Sequence, residues 1–228
     1  MIYVNGDSWS FSNTEYKFNI WPEIIATERN EVLINDAVGC GSNSRIASNL
    51  LDRQINEFSP DLILIGLTGH HRFHIPSVDF GSWSIGPGFA RNDRTGQTNE
   101  SMVKVFYSNC FDEIGSVYRY YRDLWQITKI ARESNSRCLL FQMWDTSLND
   151  YNLLSSDDNI YNFVGKFYNV DSYYYDEFVT AFKNLKAKSK DWEYWEEPIK
   201  LLQSEIDKTG HPNELGHKKI ASFVSSKI

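Results

Sequence analysis

The chain has 228 residues, 41% of them apolar and 23% charged, with a formal net charge of −7. That length buries a core without metals or disulfides, and the ordinary hydrophobicity excludes a disordered chain. The acidic balance, with a pI near 5.3, argues against a nucleic-acid binder that works by neutralising phosphates, and no apolar run approaches the ~20 residues of a membrane span.

In chain order, Ile2-Tyr3-Val4 reads as a strand ending in the turn Gly6-Asp7-Ser8. Residues 21–29 read as a short helix with Pro22 in its first turn. Glu31 to Asn35 is a second strand. Ile46, Leu50, Leu51 and Ile55 then keep helical spacing, with Ser42 or Asn43 as the cap. Asp61 to Leu67 is a near-continuous apolar run, as in a parallel strand covered on both faces. Residues 75–110 carry Gly81, Gly86, Gly88 and Gly96, with Pro87, among polar residues and read as an irregular excursion from the scaffold. Helical order returns with Val117, Tyr120, Tyr121, Leu124, Ile127 and Ala131. Arg137 to Met143 is a further buried strand, and residues 145–198 read as irregular helices. Leu215, Ile220, Phe223 and Val224 mark a closing helix. Strands alternating with helices predict one α/β domain over 1–228, a three-layer α/β/α sandwich on a central parallel sheet. Ligands of such sheets bind beyond the C-terminal strand ends.

Four segments fall at those ends. Gly6-Asp7-Ser8-Trp9-Ser10 follows the first strand, and a serine at such a turn is held out at the sheet edge. Asn35 to Asn43 follows the second, with Gly39 and Gly41 leaving backbone N–H groups open to an anion. Gly66 to Arg72 follows the third, and Asp207 to His217 precedes the last helix. By themselves these residues also suit plain turns. A serine near one end and a histidine near the other can meet above one sheet as nucleophile and base.

Together the segments resemble the SGNH (GDSL-type) hydrolase family, over about the first 75 residues and the last 25 or so. Gly6-Asp7-Ser8, His211-Pro212-Asn213 and Gly216-His217 carry the resemblance. It implies the flavodoxin-like fold of that family, with Ser8 as nucleophile and His211 as general base. It further implies an oxyanion hole from the Ser8 N–H and a glycine N–H, mapped to Gly41 with Gly39 as the alternative. Its third member, an Asn amide in the family, falls on His70, whose imidazole N–H can donate instead. The family's acid falls on Lys208, one residue after Asp207. Asp207 is then the orienting carboxylate, or a backbone carbonyl replaces it in a Ser–His dyad.

The resemblance implies a serine esterase of short acyl esters such as acetyl groups, often on carbohydrates. The rivals are a catalytically weakened glycan-binding module on the same scaffold and an acyltransferase using the same serine. Trp9, Asn43, Arg72, Trp192 and Trp195 are the candidate substrate contacts, although Arg72 equally suits an ion pair with a neighbouring acid. His217 is expected on the surface or last turn of the closing helix. His70, His71 and His74 lack the convergence of a metal site, so no cofactor or metal is expected. Lys183, Lys186, Lys188 and Lys190 read as a solvated face rather than a nucleic-acid patch. The expected partner is a small-molecule or glycan ester, with no nucleic acid and no membrane. Cys40, Cys110 and Cys138 form no disulfide framework and suit a reducing compartment. No signal peptide is visible, so a cytoplasmic protein is expected, and the Asn/Lys/Ile-rich composition suits an AT-rich genome such as a phage or its host. Of the 34 aromatic residues, 13 lie in 151–195. That segment, with Tyr173-Tyr174-Tyr175 and Trp192-Glu193-Tyr194-Trp195, is expected to cover the rim of the Ser8 site.

Overall fold

The computed structural model describes residues 1–12, 16–55, 58–75, 82–86, 89–92, 94–95, 97–111, 113–143, 192–195 and 211–228. A five-stranded parallel sheet forms the centre, in the order β2-β1-β3-β7-β8. Its strands are β1 (Ile2–Asn5), β2 (Leu33–Asn35), β3 (Leu62–Leu67), β7 (Arg137–Gln142) and β8 (Trp192–Trp195). β1 pairs with β2 from Ile2↔Leu33 and with β3 from Ile2↔Leu62. β3 runs beside β7 from Leu62↔Arg137 to Leu67↔Gln142.

Side chains alternate across each strand, and two apolar layers result. Tyr3, Ile63, Ile65, Leu67, Cys138 and Leu140 pack under α2 (Asn43–Ile55) and α4 (Glu113–Glu133). Ile2, Val4, Leu62, Leu64, Leu139 and Phe141 pack under α1 (Trp21–Arg29) and α5 (Glu214–Ser225). The strands are therefore apolar on both faces, and the molecule is the three-layer α/β/α sandwich that the sequence predicts. Among the described residues, no helix is long and apolar enough to cross a membrane.

Local chemistry fixes the helix ends. Ser42 Oγ accepts the Arg45 N–H at 3.3 Å and so caps α2. The carboxylate of Glu23, in the first turn of α1, reaches back to the Ile20 N–H at 3.1 Å. Asn30 closes α1 in the left-handed region at φ 52°. Asn213 caps α5, its side chain accepting the Gly216 N–H at 3.0 Å.

Two stretches differ from the sequence reading. Residues 75–110 lead away from the main sheet, and among their described residues regular elements stand where an irregular excursion is expected. They carry most of a three-stranded antiparallel sheet of β4 (Phe73–Ile75), β5 (Trp83–Gly86) and β6 (Phe89–Asn92), then helix α3 (Glu100–Asn109). Gly86, which reads as a breaker, pairs with Phe89 across a hairpin. Within 145–198, the irregular helices expected at 192–195 are instead β8, paired in parallel with β7 from Cys138↔Trp192 to Phe141↔Trp195. Trp and Tyr are strong strand formers once a partner strand is present.

The direction of α5 decides where the chain's last motif lies. Arg137, at the start of β7, donates to the carbonyls of Lys227 and Ile228 at 2.6 and 2.9 Å. The C-terminal end of α5 therefore sits at the N-terminal edge of the sheet. Its N-terminal end, with His211 just before it, lies toward the opposite edge, where β1 ends and Ser8 begins.

Candidate active site

Three loops meet at the C-terminal edge of β1, β2 and β3. The Val38 N–H donates to the Gly6 carbonyl at 3.3 Å. A Cβ on Gly41 would lie 2.9 Å from that same carbonyl, so only glycine lets the two loops approach so closely. The Asn43 side chain donates to the Thr68 carbonyl at 2.9 Å and accepts the Thr68 N–H at 3.1 Å. Arg72 Nη1 donates to Asp7 Oδ2 at 3.0 Å, joining the third loop to the first.

Of the two serines in the first loop, Ser8 is half-buried, whereas Ser10 is fully buried. Ser10 is wedged between strand ends, its Oγ lying 2.5 Å from where a Cβ would stand on either Gly6 or Gly66. Of the two, only Ser8 keeps access to solvent. It has no hydrogen-bond partner among the described residues, His211 included. Catalytic hydrogen bonds are often long before substrate binds.

The two histidines of the last motif divide in the same way. His211 is half-buried. His217 is only 1% exposed, which corrects its expected surface position. It falls with Ile220, Ala221 and Val224 on the inner stripe of α5. Its Nδ1 accepts the Trp21 N–H at 3.4 Å, satisfying a donor that the start of α1 leaves without a helical partner. The rings of Phe18 and Tyr16 pack 5.7 and 6.1 Å from it. Burial, reinforced by the charge of His211, lowers the His217 pKa from 6.5 to about 4.

The oxyanion candidates are also sorted. The Gly41 N–H is directed at the Val38 carbonyl at 3.1 Å, which corrects its assignment as a donor to substrate. Residues 38–41 form a tight turn with Cys40 at φ 66°, the positive value that the third position of a type II turn requires. The N–H of Gly39, the alternative, makes no hydrogen bond among the described residues, and a Cβ there would lie 3.5 Å from Arg91 Nη1 of β6. His70 is buried at 6% exposure, its ring 5.4 Å from that of His71. Its loop is held from behind, with Arg119 donating to the His70 carbonyl at 3.3 Å and the Tyr107 hydroxyl to the His71 carbonyl.

Three candidate substrate contacts are corrected. Trp9 is 1% exposed and lies in the core with Trp21, Leu64 and Ile220. The turn after Ser8 sends its neighbour inward. Asn43 is buried, its amide engaged with Thr68, and Arg72 is paired with Asp7 beneath the surface. Trp192 and Trp195 stand on β8, three strands from β1. Asp207 and residues 151–191, and with them most of the expected aromatic rim, lie outside the described residues. The sequence does not reveal Asp7 as the partner of Arg72, Thr68 as the partner of Asn43 or Arg91 beside Gly39. The acid next to Ser8 and the base after His70 were its only visible signal.

No protein-family model matches the sequence, and no curated protein is similar to it in sequence. Solved structures are similar in fold. The psychrotrophic esterase EstA from Pseudoalteromonas sp. superposes with a TM-score of 0.53 at 12% identity, over 99% of this chain and 94% of that one. A member of the lipolytic protein G-D-S-L family from Veillonella parvula DSM 2008 gives 0.52 at 14% identity, over 99% and 96%. TesA gives 0.52 at 12% identity, over 99% and 96%. With the sheet order, the loops at its C-terminal edge and the end-to-end motif order, these likenesses establish that the chain has the SGNH (GDSL-type) hydrolase fold.

Proposed function

We propose that the protein is a serine esterase that hydrolyses short acyl esters at Ser8. One observation carries the reading. Of the two serines at the β1 edge only Ser8 is accessible, and α5 runs so that its N-terminal end, preceded by His211, lies toward the same edge. His211 takes the Ser8 Oγ proton as Oγ bonds to the ester carbonyl carbon. The negative charge that develops on the carbonyl oxygen is held by the N–H groups of Ser8 and Gly39, with His70 as a third donor. His211 then gives its proton to the leaving alcohol. Water attacks the acyl-enzyme by the same relay and releases the acid, regenerating Ser8. Asp207 orients the His211 ring in this scheme. The substrate class, acetyl-type esters on a carbohydrate, rests on the family resemblance.

Turnover of an aryl acetate tests the reading. Ser8→Ala should abolish it, and Ser10→Ala should retain it. Undiminished turnover in Ser8→Ala would refute the assignment. Product analysis with an added sugar acceptor separates hydrolysis from acyl transfer. Glycan retention without turnover would favour a binding module instead.

A further inference from the structure

We propose that Arg72 is a positioning residue for Ser8, acting through the carboxylate of Asp7. This rests on the esterase reading above. Asp7 is fully buried and Arg72 is 8% exposed. The two ends of the Asp7 carboxylate are used differently. Oδ2 receives Arg72 Nη1 at 3.0 Å, and Oδ1 receives the Trp9 N–H at 3.0 Å. The Asp7 carbonyl receives the Ser10 N–H at 2.9 Å. Asp7 thus holds the chain on both sides of Ser8, and Arg72 holds Asp7. Trp9 adds a core anchor on the far side.

A buried ion pair of this kind contributes little net stability, because desolvation offsets the attraction. Its placement has two consequences for chemistry. The first is geometric. Arg72 lies two residues after His70 on one loop, and Asp7 lies directly before Ser8 on another. A single contact therefore sets the spacing between the nucleophile and the third oxyanion donor. The second is electrostatic. Attack by Ser8 places negative charge on the substrate oxygen, and a bare carboxylate one residue away would oppose it in a low-dielectric site. The Arg72 guanidinium cancels that charge. The same burial removes Arg72 from the candidate substrate contacts.

The test measures kcat, KM and the rate of fluorophosphonate labelling for wild type, Arg72→Lys, Arg72→Met and the double variant Arg72→Met/Asp7→Asn. Arg72→Met should lower kcat roughly 10- to 100-fold, the loss expected of a nucleophile displaced by about 1 Å, with KM within about threefold. Labelling should slow in parallel. Arg72→Lys should keep most of the rate. The double variant should fall between Arg72→Met and wild type, because Asn still accepts the Trp9 N–H and no unpaired charge remains. Wild-type kcat and labelling rate per folded molecule in Arg72→Met would overturn the proposal. Should that variant not fold, the same result in the double variant would overturn it. Absence of turnover and labelling in the wild type itself would instead refute the esterase reading, and this inference with it.

Discussion

The Asn43 side chain and the Thr68 backbone are joined by two hydrogen bonds, one in each direction, in a buried seam between the second and third loops. An amide side chain here completes the sheet edge as a further strand residue would. Asn43→Ala leaves the Thr68 N–H and carbonyl without partners. It should cost about 2–4 kcal/mol of stability, since each stranded buried group costs about 1–3 kcal/mol. Urea unfolding measures this, and a loss below about 0.5 kcal/mol would contradict the seam's role.

His217 gives stability a pH dependence whose sign follows from its burial. The folded protein keeps the ring neutral down to about pH 4, while the unfolded chain protonates it near 6.5. The unfolded chain therefore binds an extra proton between those values. Stability should fall as pH drops from about 6.5 toward 4, by at most about 1.4 kcal/mol per pH unit. Above 6.5 the contribution is constant. Thermal unfolding of His217→Gln across that window should show a shallower decline than wild type. Parallel curves would contradict the assignment.

The Ser10 hydroxyl fills the space that a Cβ on Gly66 would need, 2.5 Å from it. That hydroxyl has no hydrogen-bond partner among the described residues. Gly66→Ala should therefore destabilise by about 1–3 kcal/mol, as overpacked cores do. Adding Ser10→Gly should recover a large part, a coupling that a double-mutant cycle reads directly. Additive losses would show that the strain lies elsewhere.

What the sequence revealed, and what it hid, follows from range. The runs Ile2–Val4 and Leu62–Leu67 were legible because a strand covered on both faces must be apolar throughout. The closing helix carried the answer to His217, since 217, 220, 221 and 224 follow helical spacing, though a histidine reads as polar. The four-residue β8 was hidden because Trp-Glu-Tyr-Trp becomes a strand only beside β7. Trp9 follows Ser8 in the chain, but adjacency does not fix exposure, and the turn sends its side chain into the core. The glycine spacing points to Gly41, but the turn bond to Val38 consumes its N–H, which no sequence pattern reports. The Asp7–Arg72 pair spans 65 residues. No local pattern reports a contact of that range, so the sequence offers Arg72 an ion pair with an acid but does not say that the acid is Asp7.

An activated nucleophile at Ser8 would react with a serine-directed electrophile. The most direct measurement is reaction of the wild-type protein with a fluorophosphonate, followed by peptide mass mapping of the adduct. One phosphonyl group per chain is expected, carried on Ser8, and none in Ser8→Ala or His211→Ala on the same timescale. Labelling at another residue, or equal labelling of Ser8→Ala, would contradict the assignment of Ser8.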